Sequence, residues 1–114
     1  MKPGFGKSSA EEIVEYLRQT LAATGLAVRR IAVFGSQATG TADDESDVDI
    51  VIVADDFRGK NIFDRAQLTK TAEVSTLRKF MVPLDIIAMT PEEFENDGSP
   101  VAVMARETGA AYAP

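Results

Sequence analysis

At 114 residues, 45% of them hydrophobic, the chain has the length and composition of one soluble globular domain, expected to span 1–114 with a flexible lead-in over 1–7. It contains no Cys and no His, which excludes disulfides, Cys/His zinc sites and Ser-His-Asp or Cys-His triads, and leaves chemistry to carboxylates, hydroxyls, Lys, Arg, Tyr and a bound ion. The net charge of −6 argues against binding duplex nucleic acid, and no apolar stretch approaches the ~20 residues that cross a bilayer, so no membrane partner and a cytoplasmic location are expected.

After the Pro- and Gly-containing lead-in, Ser8 or Ser9 is positioned to cap a helix, with Glu11 or Glu12 completing a capping box. Ile13, Leu17 and Leu21 recur at helical spacing and Val14 widens the stripe, so one face is expected in the core; Gly25 supplies a left-handed stop. Ile31-Ala32-Val33-Phe34 reads as a short buried strand ending at Gly35-Ser36, and Ser36 to Gly40 as a helical turn. A polar connection over 41–46 leads to a second strand, Asp47 to Ala54, with Val48, Ile50 and Ile52 on the face opposite Asp47 and Asp49.

Residues 55–60 are expected to form a turn with solvated charges. Asn61 or Asp64 can then cap a helix running to about Phe80, in which Lys70, Val74, Leu77 and Met81 fall roughly in line. Pro83 breaks it, Leu84-Asp85-Ile86-Ile87-Ala88 forms a third strand, and Thr90-Pro91-Glu92-Glu93 is a strong helix start. A further helix is expected from Pro100 through Val101, Val103 and Met104, closed by Gly109, and a small edge strand from Ala110 to Pro114. The order predicts a small α/β domain: a mixed sheet of three to four strands flanked by helices.

The chemistry concentrates around Gly35-Ser36 and the second strand. Asp47 and Asp49, two residues apart on a strand, aim two carboxylates in one direction. Such a pair repels unless protons or cations compensate it, and oxygen-rich sites suit Mg²⁺. Seven acids and no base fall between Asp43 and Asp56, which favours a cation or a cationic partner there. Asp85 sits among apolar neighbours; if its strand lies beside the second, ~4.8 Å separates the strands and the three acids can cluster. The plainer readings are a solvated strand entry for Asp47 and Asp49, a turn for Ser36, and an edge open to water for Asp85.

At Gly35-Ser36-Gln37-Ala38-Thr39-Gly40, Ser46-Asp47-Val48-Asp49-Ile50 and Asp85, the chain resembles the minimal nucleotidyltransferase domains of the DNA polymerase β superfamily. That resemblance implies the nucleotidyltransferase fold, ATP as nucleotide substrate cradled at Gly35 and Ser36, and Mg²⁺ held by Asp47, Asp49 and Asp85, which would also form the catalytic set. Thr39 departs from the family pattern, which commonly has a basic residue there and so points to reduced activity; Arg29, Arg30, Lys60 and Arg65 are the bases available to compensate. Stand-alone domains of this size resemble the antitoxins of HEPN/MNT toxin–antitoxin pairs. The resemblance implies AMP transfer to a helical HEPN-type toxin and an oligomer with that partner. The alternatives are an antitoxin acting by contact alone and a transferase for small molecules of the aminoglycoside type.

Overall fold

A computed structural model describes residues 5–34, 48–96 and 110–112. Helix α1 (Phe5–Ala23) precedes strands β1 (Val28–Phe34) and β2 (Val48–Ala54); a short 3-10 turn (Asp55–Phe57) leads into helix α2 (Ile62–Phe80), strand β3 (Leu84–Met89), helix α3 (Pro91–Asn96) and strand β4 (Ala110–Tyr112). The strands form one sheet in the order β3-β2-β1-β4. Among the described strands β2 and β3 run parallel, and β1 pairs antiparallel with both β2 and β4. A parallel pair needs a long crossover, and α2 supplies it. The mixed sheet with flanking helices is the architecture expected, and β4 is an edge strand as anticipated.

Helix α1 begins at Phe5, so Ser8 and Ser9 lie inside it instead of capping it, and the lead-in expected over 1–7 gives way to helix from Phe5. The helix tolerates Gly6 in its first turn, and Pro3 and Gly4 precede it in sequence. At the other end the expected stop is present. Gly25 has φ +94, its N–H donates to the carbonyl of Ala22 (3.0 Å), and the Leu26 N–H reaches back to Leu21 (3.1 Å). This is a Schellman closure, with Leu21 and Leu26 both buried beneath it.

The two faces of the sheet are covered differently. Ile13, Leu17 and Leu21 of α1 pack with Ile31, Val33, Val48, Ile50 and Ile52 in the larger core, under α1 and α2. The opposite face holds a smaller cluster in which Phe94 of α3 packs on Ala32, Val51, Val53 and Met89. Strand β1 starts at Val28, three residues before the apolar run, because Arg29 and Arg30 extend it with side chains held at the surface: Arg29 pairs with Asp55 (3.0 Å) and Arg30 lies 5.3 Å over the Phe94 ring.

Helix α2 is capped by Asn61, whose side chain accepts the Asp64 N–H at 2.8 Å. Its buried face differs from the line through Lys70, Val74, Leu77 and Met81. Thr69, Ala72 and Thr76 face the core, while Leu77 and Met81 are exposed. Small residues let α2 lie close against the sheet and α1, and Thr76 stays satisfied by donating to the Ala72 carbonyl (2.7 Å). The helix ends at Met81 in the left-handed region (φ 58), two residues before Pro83.

The start of α3 is a complete capping box: the Glu93 N–H donates to Thr90 Oγ1 (3.1 Å) and the Thr90 N–H to Glu93 Oε1 (2.9 Å). Arg65 of α2 locks it from outside. Its guanidinium makes a two-pronged contact with Glu93 (2.7 and 3.1 Å) and donates to the carbonyls of Ala88 (3.0 Å) and Lys60 (2.9 Å). The hydrogen bond from Arg65 holds the Glu93 carboxyl below the ordinary glutamate range, against a smaller opposing effect of burial. A depressed carboxyl stabilises the fold above its unfolded pKa, about 4.3, and this contribution is lost as pH falls through the lower folded value. Glu93→Gln is therefore expected to lower urea stability at pH 7, with the difference from the native chain closing in acid as Glu93 is protonated. A difference that persists unchanged through the acid limb would contradict this coupling.

Among the described residues no helix is long and apolar enough to cross a membrane.

Candidate active site

The register of the central strands sets the site. Asp49 of β2 is the direct partner of Asp85 on β3, and on its other side of Phe34, the last residue of β1. Side chains of paired residues leave the sheet on the same face, so the two carboxylates stand on neighbouring strands separated by ~4.8 Å. The condition posed by the sequence, that the third strand lie beside the second, is thereby met. Asp49 shares its face with Val51 and Val53, the face opposite α1 and α2, while Val48, Ile50 and Ile52 point into the larger core. Among the described residues, α3 covers this face at its far end, where Phe94 packs.

Local chemistry explains how the strands arrive there. Val48 anchors the start of β2 by donating its N–H to the Pro83 carbonyl (2.9 Å), which aligns the entry of β2 with that of β3. The apolar runs of β2 and β3 then pair in step from Val48↔Leu84 to Val53↔Met89. Strand β1 ends at Phe34 opposite Asp49, at the same end of the sheet.

Asp85 is exposed and Asp49 half-buried. The exposure corrects one expectation: Asp85 lies on an edge strand of the sheet, and water reaches it despite its apolar neighbours, so its charge carries no large desolvation cost. The side-chain placements of Asp47, Gly35, Ser36 and Thr39, the turn over 36–40, the connection over 41–46 and the helix expected from Pro100 lie outside the described residues. Among the described residues no group of three metal-binding side chains gathers, and the contribution of Asp47, adjacent in sequence to Val48, falls outside them. Two facing carboxylates are nevertheless the donor type that Mg²⁺ takes, one or two from protein with water and phosphate oxygens completing the shell.

The bases named as substitutes for a positive charge at position 39 lie elsewhere. Arg30 pairs with Val53, four residues along β2 from Asp49, or ~13 Å at strand rise. Arg29 is held by Asp55, and Arg65 by Glu93 and the Ala88 carbonyl, three residues past Asp85. Lys60 joins that same end through its carbonyl, which accepts from Arg65. Arg29, Arg30, Lys60 and Arg65 thus gather at the end of the sheet opposite Asp49 and Asp85. Because β1 runs antiparallel to β2, bases at the start of β1 necessarily fall beside the end of β2, and the linear sequence carries no mark of that polarity.

Similarity to known proteins agrees with this geometry. A family model for the nucleotidyltransferase domain matches residues 10–108. No curated protein sequence matches the chain significantly. Among solved structures, a nucleotidyltransferase from Sulfolobus solfataricus is 22% identical, with a TM-score of 0.59 over 98% of this chain and 90% of that one. A minimal nucleotidyltransferase is 21% identical, with a TM-score of 0.56 over 90% and 92% of the two chains. A toxin–antitoxin structure with AMP-PNP is 17% identical, with a TM-score of 0.62 over 93% of this chain and 74% of that one. At these identities the structures establish likeness of fold, and the family match over most of the sequence establishes kinship. The chain belongs to the nucleotidyltransferase domain family and has the fold of its minimal members.

Proposed function

We propose that the chain is a Mg²⁺-dependent nucleotidyltransferase that moves AMP from ATP to a hydroxyl on a partner protein, as the antitoxin of a HEPN-type toxin. The observation that carries the reading is the pairing of Asp49 with Asp85 at the sheet end where β1 stops at Phe34, the residue before Gly35-Ser36 in sequence. The family match supports nucleotidyl transfer, and the fold shared with a toxin–antitoxin structure containing AMP-PNP supports the adenine nucleotide and the partner.

In this reading Gly35 and Ser36 hold the triphosphate, Gly35 because it has no Cβ to obstruct close approach. Asp47, Asp49 and Asp85 hold Mg²⁺, which when bound offsets charge on the phosphates and on the departing pyrophosphate. Asp85, on the exposed edge, is the carboxylate that an acceptor approaching from solvent meets first, and it takes the proton of the acceptor hydroxyl. The acceptor oxygen forms a bond to the α-phosphorus as the bond to pyrophosphate breaks.

Incubation with α-labelled ATP, Mg²⁺ and the product of the neighbouring gene tests the proposal. Label is expected on that protein, and none after chelation of the metal. A partner that binds but stays unlabelled would instead support neutralisation by contact alone. That second reading draws on Thr39 standing where the family carries a base, and on the placement of Arg29, Arg30, Lys60 and Arg65 at the end of the sheet away from Asp49 and Asp85.

A further inference from the structure

The outer face of α2 has a pattern that neither the fold nor the proposed site uses. Phe63, Gln67, Lys70, Val74, Leu77 and Met81 follow one another at alternating spacings of four and three residues, the seam of a two-stranded coiled coil. The helix turns its opposite side, Thr69, Ala72 and Thr76, to the core. The seam therefore faces outward, and Phe63, Leu77 and Met81 are 74%, 40% and 78% exposed. From Phe63 to Leu77 it rises about 21 Å along the helix, and Met81, at the C-cap, extends it by one position.

The charges beside this seam select its occupant. Asp64 flanks its start and Arg78 its end, both exposed. When two such helices meet antiparallel about a two-fold axis near Ala72, Phe63 falls opposite Met81 of the second copy, Gln67 opposite Leu77, and Lys70 opposite Val74. The same register sets Asp64 against Arg78 twice, once on each side of the axis, and brings the two Glu73 side chains together near the axis with Lys70 of each copy beside them to offset their charge. A parallel alignment would instead stack Lys70 on Lys70 in the seam, a like-charge contact that excludes it.

We infer that α2 is a self-association surface, on which a second copy of this chain docks antiparallel through the Phe63–Met81 seam. Because the interface is isologous, every contact is made twice. The polar Gln67 and Lys70 make it a modest, reversible dimer whose register is set by charge.

Sedimentation of the full-length chain across the micromolar range tests this. A concentration-dependent dimer is expected, weakened more than about tenfold when Leu77 and Met81 are both changed to Asp, since such exposed positions leave folding intact by thermal melting. Asp64→Arg alone and Arg78→Asp alone are each expected to weaken association, and the two combined to restore it to within about threefold, because the pair is rebuilt with its signs exchanged. A chain that stays monomeric throughout, a dimer indifferent to the Leu77 and Met81 changes, or charge reversals that fail to compensate would each overturn the inference. In the first case the seam is the docking site of a different protein.

Discussion

Asp49→Asn is expected to lower nucleotidyl transfer by at least about a thousandfold, and Asp85→Asn to do the same, because under the proposed function each removes a negative ligand from the Mg²⁺ that would offset phosphate charge. Asparagine keeps the shape of aspartate and one acceptor oxygen but binds a divalent cation poorly. The two positions face each other across β2 and β3, so losing either leaves a single described carboxylate at that end of the sheet. The change at Asp85 separates chemistry from folding. Its side chain is exposed on an edge strand, so the substitution should shift unfolding free energy by no more than about 0.5 kcal/mol. Transfer of labelled AMP, measured alongside thermal unfolding of the same preparations, reads both effects. Native rates in either variant would remove these carboxylates from the mechanism, whereas loss of activity in step with loss of fold would make the role structural.

Phe57→Ala is expected to destabilise the chain by about 3–5 kcal/mol, the usual cost of emptying a buried aromatic position. That is a large share of the roughly 5–15 kcal/mol by which a domain is ordinarily stable. Phe57 is 0% exposed and belongs to the larger core, along with Leu26, Ala54 and Ala72. Its place in a 3-10 turn means that the backbone around it is fixed by few hydrogen bonds, chiefly Arg58 N–H to Asp55 and Lys60 N–H to Phe57. The ring therefore anchors the turn as much as the turn positions the ring. The Arg65 guanidinium, 14% exposed and 6.0 Å from the ring centroid, connects this anchor to the capping box of α3. Urea denaturation monitored by circular dichroism gives the value. A loss below about 1 kcal/mol would mean that the cavity collapses and the ring contributes little.

Phe57 also marks a boundary in what the residues reveal before folding. Residues 55–60 read as a solvated turn because four of the six are charged. The charges do lie outward, with Arg58 bound to Glu92 and Asp55, yet a single aromatic among them turns inward. A lone aromatic in a charged turn has no periodicity to declare its direction; the apolar gap between Leu26 and Ala72 supplies it. The outward line on α2 is a related case. Val74, Leu77 and Met81 have helical spacing, but spacing alone does not distinguish a face turned to the core from one turned to a partner. Thr69, Ala72 and Thr76 win the core because small side chains permit close approach.

Local signals were legible at three helix ends, though not at Ser8 and Ser9, which lie inside α1. The Gly25 closure, the Asn61 cap and the Thr90–Glu93 box each depend on groups no more than five residues apart, so the sequence by itself determined them. It also carried the family kinship, read from Gly35-Ser36, Asp47, Asp49 and Asp85 and matched over residues 10–108. Tertiary structure alone decided that β3 lies parallel beside β2, which sets Asp85 opposite Asp49, and that β1 runs the other way, which removes Arg29 and Arg30 to the far end. Strand order and polarity arise from hydrogen bonds between segments distant in the chain. Their energies depend on which neighbour is available, and no residue encodes that singly.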